Sequence, residues 1–115
     1  LVRRLDPATR AAYEVLPEMV EELGLSRFTD ADQIELYHPG SSEACPTGYR
    51  GRTGIHEILI LNEEIRRMVM KHATSTEIEA QARRDGMRTM YEDGLIKALQ
   101  GVTSAEEILR VTQEA

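Results

Sequence analysis

The stretch from His38 to Gly54 limits what this chain can fold into more than any other. It holds Pro39, Gly40, Ser41, Ser42, Pro46, Gly48, Gly51 and Gly54, so no long helix or regular strand is expected to cross it. The residues on either side must therefore build their structure from short elements. A chain of 115 residues suits one small domain or a fragment of a larger one. Its core is modest, because short chains bury a smaller share of their surface. Phe28, Tyr13, Tyr37, Tyr49 and Tyr91 are the only aromatics. The interior must rely on Leu, Ile, Val, Met and Ala.

Before the loop, Leu1 to Leu5 reads as the end of an element begun upstream. The first residue is Leu1, not Met, and the natural chain is expected to begin further upstream. Asp6-Pro7 breaks that element. Ala11, Ala12, Val15, Leu16, Met19, Val20 and Leu23 recur at helical spacing, and Pro17 divides them into two expected short helices between Pro7 and Leu23. Leu16 is pushed toward extended geometry by the proline after it, and Gly24 is a C-terminal stop. The alternation around Ile34 and Leu36 predicts a strand over Gln33 to Tyr37, and Ile55 to Leu61 reads as a second strand. These two are expected to form a short two-stranded element. Packing of Val15, Leu16, Met19, Val20, Leu23, Ile34 and Leu36 is expected to hold the region before Thr47.

The rest reads as helical. Asn62 caps a helix with Ile65, Met68 and Val69 on one face. Thr74 with Glu77 fits a capping box, and Ile78 and Ala82 follow before Gly86. Met87, Tyr91, Leu95 and Leu99 form the next stripe, ended by Gly101. Thr103 with Glu106 fits another capping box, leading to Ile108, Leu109 and Val111. Short helices with tight turns predict a small bundle. The expected class is α+β, mostly helical, with the two-stranded element followed by that C-terminal bundle.

Twenty acids against 14 bases give a net charge of -6, which opposes binding to nucleic acid or anionic lipid. One cysteine, Cys45, excludes an intramolecular disulfide and fits a reducing compartment. No apolar run approaches a membrane span. The expectation is a cytoplasmic domain.

Thr47 to Glu57 concentrates the unusual chemistry: three glycines, at 48, 51 and 54, with Arg50 and Arg52 among them. One reading is a loop that contacts an anion or a subunit. The other is a tight connection whose arginines pair with nearby acids such as Glu35, Glu43 or Glu57. It is not a P-loop, because neither Lys71 nor Lys97 follows a glycine, so no triphosphate cradle is expected. His56 and Glu57 are neighbours on the expected strand and would point to opposite faces. His38, His56 and His72 show no metal-ligand spacing. Met68, Met70, Met87 and Met90 read as core filling.

The string TGYRGRTGIHEIL, Thr47 to Leu59, resembles a signature of the type II secretion and type IV pilus assembly ATPases. Leu1 to Leu5 resembles the family's strand before its first cysteine pair. Gly86 to Met90 with Glu92-Asp93-Gly94 resembles its GMRTL…EDG helix, and Gly101 to Thr112 its last helix. The resemblance implies that residues 1–5 end a RecA-like ATPase domain. Residues 6–54 would be its metal-binding insertion, and residues 55–115 its C-terminal helical domain. That insertion usually holds two CxxC pairs. Here their positions carry Asp6 and Thr9, then Ser41 and Ala44, while Cys45 lies one residue out of register. One thiolate cannot supply a tetrahedral zinc site, so zinc is not expected; a substitute site of Asp6, His38 and Cys45 is the alternative reading.

The implied function is that of a non-catalytic end of a hexameric motor subunit, with no catalytic, cofactor or metal residues in this segment. ATP and magnesium would belong to the parent protein. Its partners would be the ATPase core of the same chain, neighbouring subunits, and the inner-membrane platform with its adaptors. The parent complex would sit at the cytoplasmic side of the inner membrane. Tyr49, Arg50, Arg52 and Glu57 are the interface candidates. A stand-alone interaction module is the alternative, and nucleic-acid binding through Arg50 and Arg52 is opposed by the acid excess. The long segment between Asp6 and Ala44 favours assembly or secretion over retraction motors.

Overall fold

The computed structural model describes residues 1–112; the last three positions of the expected 55–115 domain lie outside the described residues. Four short strands come first: β1 (Val2–Leu5), β2 (Ala11–Glu14), β3 (Glu35–His38) and β4 (Tyr49–Thr53). They form two separate antiparallel ribbons, β1 with β4 and β2 with β3. Helix α1 (Pro17–Leu23) and a 3₁₀ turn (Leu25–Arg27) lie between β2 and β3. Helices α2 (Glu63–Met70), α3 (Ser75–Arg84), α4 (Met90–Leu99) and α5 (Ala105–Thr112) follow. The α+β class holds, with both ribbons preceding the four C-terminal helices.

The strand pairing differs from expectation. Gln33 to Tyr37 does contain a strand, but its partner is Ala11–Glu14, in the register Ala11↔His38 to Glu14↔Glu35. Ala11 and Ala12 favour helix in isolation, yet cross-strand packing overrides so weak a preference. The Tyr13 and His38 rings stack 3.9 Å apart. Only the second expected helix forms, and it starts where Pro17 sets the geometry. Leu16, at φ −64° and ψ 146°, is its extended N-cap, and Gly24 ends it in the left-handed region at φ 71°.

Ile55 to Leu61 is not a strand in this structure. It has no ladder partner among the described residues, and Asn62 then caps α2 through its side chain and the Ile65 N–H. β4 arises instead inside the glycine-rich loop, where Arg50 and Gly51 (φ 77°) form a mid-strand bulge against Arg4 of β1.

The core joins Val2 to Val15, Leu23, Leu25, Ile34 and Leu36 of the insertion and to Ile55, Leu95, Ala98, Ala105 and Ile108. Leu16 and Met19, expected there, are exposed. The methionine stripe is not core either: Met70 and Met90 are exposed, while Met68 and Met87 are only half-buried. Thr74 and Glu77 form the expected capping box, and Thr89 with Glu92 forms another. The last expected box does not form; a one-way cap at the next residue replaces it. Ser104 accepts from the Glu107 N–H, while Thr103 donates its hydroxyl to the Arg3 carbonyl.

Candidate functional site

The β1–β4 ribbon is fixed to α5 through one carboxylate. Glu107 is 2% exposed. It accepts from the Arg3 backbone N–H at 2.9 Å and from Arg3 Nη2 at 2.7 Å. Arg110, one turn along the helix, donates Nε at 3.0 Å and Nη2 at 2.9 Å. The hydrogen bonds from Arg110, and then those from Arg3, lower the Glu107 carboxyl to about 2 against the penalty of burial. Both guanidiniums are raised by the same carboxylate. The i, i+3 spacing of Glu107 and Arg110 is a sequence signal for this pair. The link to Arg3, 104 residues away, has none.

This clamp decides where the interface candidates lie. Tyr49 is half-buried: its hydroxyl meets Ser104 Oγ at 2.7 Å, and the Arg3 guanidinium covers its ring at 4.1 Å. Arg50 and Arg52 are exposed and make no ion pair among the described residues, so the pairing with Glu35, Glu43 or Glu57 does not form. Arg3 lies directly across the ladder from Arg52. Like charges in that position repel, and Arg3 is relieved by Glu107 while Arg52 has no such relief.

Glu57 and His56 tie the extended segment to the start of α4. Glu57 Oε1 accepts from the Met90 N–H at 3.1 Å, and Asp93 Oδ2 accepts from the His56 backbone N–H at 2.9 Å and from Lys97. Burial pushes the Asp93 carboxyl up, but these donors together hold it below its ordinary value. Glu92 behaves alike. Burial raises it, and the Thr89 donors with Arg83 and Arg27 more than offset that. Arg27 thereby joins the insertion to α4 at 2.8 Å. The segment runs between two grooves. One, of about 550 Å³, is lined by His56, Ile58 and Ile60. The other, of about 770 Å³, is lined by Glu57, Leu59 and Tyr91.

The donor set of the insertion does not fit zinc. Among the described residues no three His, Cys, Asp or Glu side chains gather as metal ligands. The Cys45 thiol is buried and donates to the Tyr49 carbonyl at 3.2 Å, and His38 stacks on Tyr13 and faces Glu106. The described helices include none long and apolar enough to cross a membrane.

The family described as Type II/IV secretion system protein matches residues 1–110. The chain is 53% identical over its whole length to a type II secretion system protein E of Xanthomonas campestris, of which it covers 20%. It is 44% identical to the type IV pilus assembly ATPase PilB of Thermus thermophilus, over 99% of this chain and 13% of that protein. A protein E of Dickeya dadantii shares 43%, over 99% of this chain and 22% of the relative. The chain thus spans about a fifth or less of these relatives. With both ribbons, helices α1 to α4 and most of α5 inside the matched region, this chain belongs to the Type II/IV secretion system protein family.

Proposed function

We propose that this chain is the C-terminal, non-catalytic part of a hexameric secretion or pilus-assembly ATPase. It packs on the ATPase core of the same chain and couples ATP-driven motion to neighbouring subunits and to the inner-membrane platform. ATP and magnesium are held by that core, on the cytoplasmic side of the membrane. One observation carries the reading. Ile58, Leu59, Ile60 and Leu61 are 69%, 48%, 75% and 54% exposed, in consecutive positions that belong to no helix or strand. A contiguous apolar run of this kind, with no ladder partner among the described residues, is what an added strand offers to a sheet edge. The relatives are roughly five or more times longer than the matched region, which leaves ample chain to supply that sheet. Arg50 and Arg52 stand on the ribbon as forks for a carboxylate or phosphate across a lobe or subunit boundary.

The test substitutes Ile58→Asp and Ile60→Asp together. In the 115-residue chain both sites are exposed, so the melting temperature should stay within about 2 °C. In the full-length protein, two buried carboxylates should displace the strand and reduce ATPase activity at least tenfold, because each costs several kcal/mol. Full activity in the substituted full-length protein overturns the docking reading.

A further inference from the structure

We propose that the insertion, residues 6–54, closes without metal, because side-chain oxygens have taken over the work of holding its two turns. Asp6 and Thr9, at the first expected ligand positions, lie in one turn, in which the Thr9 and Arg10 N–H groups both donate to the Asp6 carbonyl. The Asp6 carboxylate is 5% exposed. Its Oδ1 accepts from the Ala8 N–H at 3.2 Å and its Oδ2 from the Thr9 hydroxyl at 3.4 Å. It makes no ion pair among the described residues. This is an Asx-turn, a local closure that needs no outside partner.

The second expected pair, Ser41 and Ala44, falls beside an equivalent device. Ser42 Oγ accepts from the Cys45 N–H at 3.0 Å, and the Ser42 and Cys45 backbones exchange hydrogen bonds. The two turns meet directly. Gly40 lies against the Thr9 carbonyl and Gly48 against the Gly40 carbonyl, so closely that a side chain at either glycine would collide. The Asp6 N–H donates to the Gly48 carbonyl at 2.8 Å, crossing from one turn to the other. A metal would bring two such turns together by ligating both. Here a backbone hydrogen bond, glycine contact and two oxygen-capped turns do it. The β2–β3 ladder and the Arg10 guanidinium bonded to the Gly101 carbonyl anchor the remainder. The apparent loss of a ligand set is therefore an exchange of one closure for another. Cys45, whose thiol is directed to its own loop, is not a remnant ligand.

This inference does not depend on the docking of Ile58 to Leu61. The test uses the 115-residue chain purified without added metal. Elemental analysis should find under 0.1 zinc per chain, and millimolar chelator should leave the melting temperature unchanged. Asp6→Ala should lower it by about 5 °C, because the turn loses the buried acceptor that closes it, while Asp6→Asn should retain most of the stability. Hydrogen exchange at Ala8 and Thr9 should quicken at least tenfold in Asp6→Ala and far less in Asp6→Asn. The quadruple variant Asp6→Cys, Thr9→Cys, Ser41→Cys, Ala44→Cys should regain about one zinc per chain and become chelator-sensitive. Stoichiometric zinc in the native chain overturns the proposal. So does exchange at Ala8 and Thr9 that is the same in Asp6→Ala as in the native chain. A quadruple variant that folds but takes no zinc refutes the opposed placement of the turns. Should it fail to fold, the Asn and Ala variants still decide the matter.

Discussion

Replacing Glu107 by Gln tests whether one buried carboxylate holds the ribbon to the helices. Gln keeps the shape and one acceptor oxygen but loses the charge. A carboxyl held at about 2 rather than 4.5 implies an interaction on the order of 3 kcal/mol, at roughly 1.4 kcal/mol per pH unit. Arg3 and Arg110 are about half exposed, so solvent screening trims this to about 2 kcal/mol. For a chain of this size, that corresponds to a melting temperature lower by about 8 °C. The sign with pH is fixed. The folded value lies below the unfolded one, so the stabilisation is fully present above about pH 4.5 and fades as pH falls toward 2. Thermal unfolding of both proteins, followed by circular dichroism between pH 7 and pH 2, should show the gap between them closing across that window. Other carboxylates titrate there too, but they do so in both proteins and cancel in the difference. A gap that stays constant with pH, or one under about 2 °C at pH 7, would refute the charge-based clamp.

Two further substitutions probe the helices. Gly94→Ala places a methyl 2.7 Å from Ile108 Cδ1, in a side chain that is fully buried. Overpacking of about 1–3 kcal/mol should outweigh the roughly 1 kcal/mol gain in helix propensity, so stability measured by urea unfolding should fall by about 1 kcal/mol. His72→Gly should act in the opposite direction. His72 follows α2 at φ 57°, the left-handed closing position whose next N–H, that of Ala73, reaches back to the Met68 carbonyl. Relief of the left-handed strain, less the entropy glycine adds to the unfolded chain, should raise stability by about 0.5 kcal/mol in the same assay.

Helix boundaries were legible because their signals are local. Pro17, Gly24, Asn62, and Thr74 with Glu77 each act within four residues, and each operates in the structure where the sequence places it. Strand pairing was not legible, because it depends on partners far away in the chain. Ala11 and Ala12 read as helix until Glu35–His38 lies beside them. Tyr49–Thr53 reads as loop until Val2–Leu5 pairs with it. The replacement of the last capping box by a single cap has the same origin: Ser104 accepts from the Glu107 N–H, while Arg3, far away in the chain, takes the Glu107 carboxylate that a box would have used. Arg50 and Arg52 were identifiable as candidates from composition. The inward turn of Tyr49 was not, because it follows from Ser104, 55 residues further on.

Ile58 to Leu61 reads as a strand and has no ladder partner among the described residues, which makes it the most direct point of test. Amide hydrogen exchange at residues 57–61 should be measured in the 115-residue chain and again in the full-length protein. Docking on the ATPase core predicts exchange within seconds in the short chain and protection of at least a hundredfold in the full-length protein, as for a paired strand. Equally fast exchange in both would contradict the assignment of this segment as the joint between the helical region and the motor.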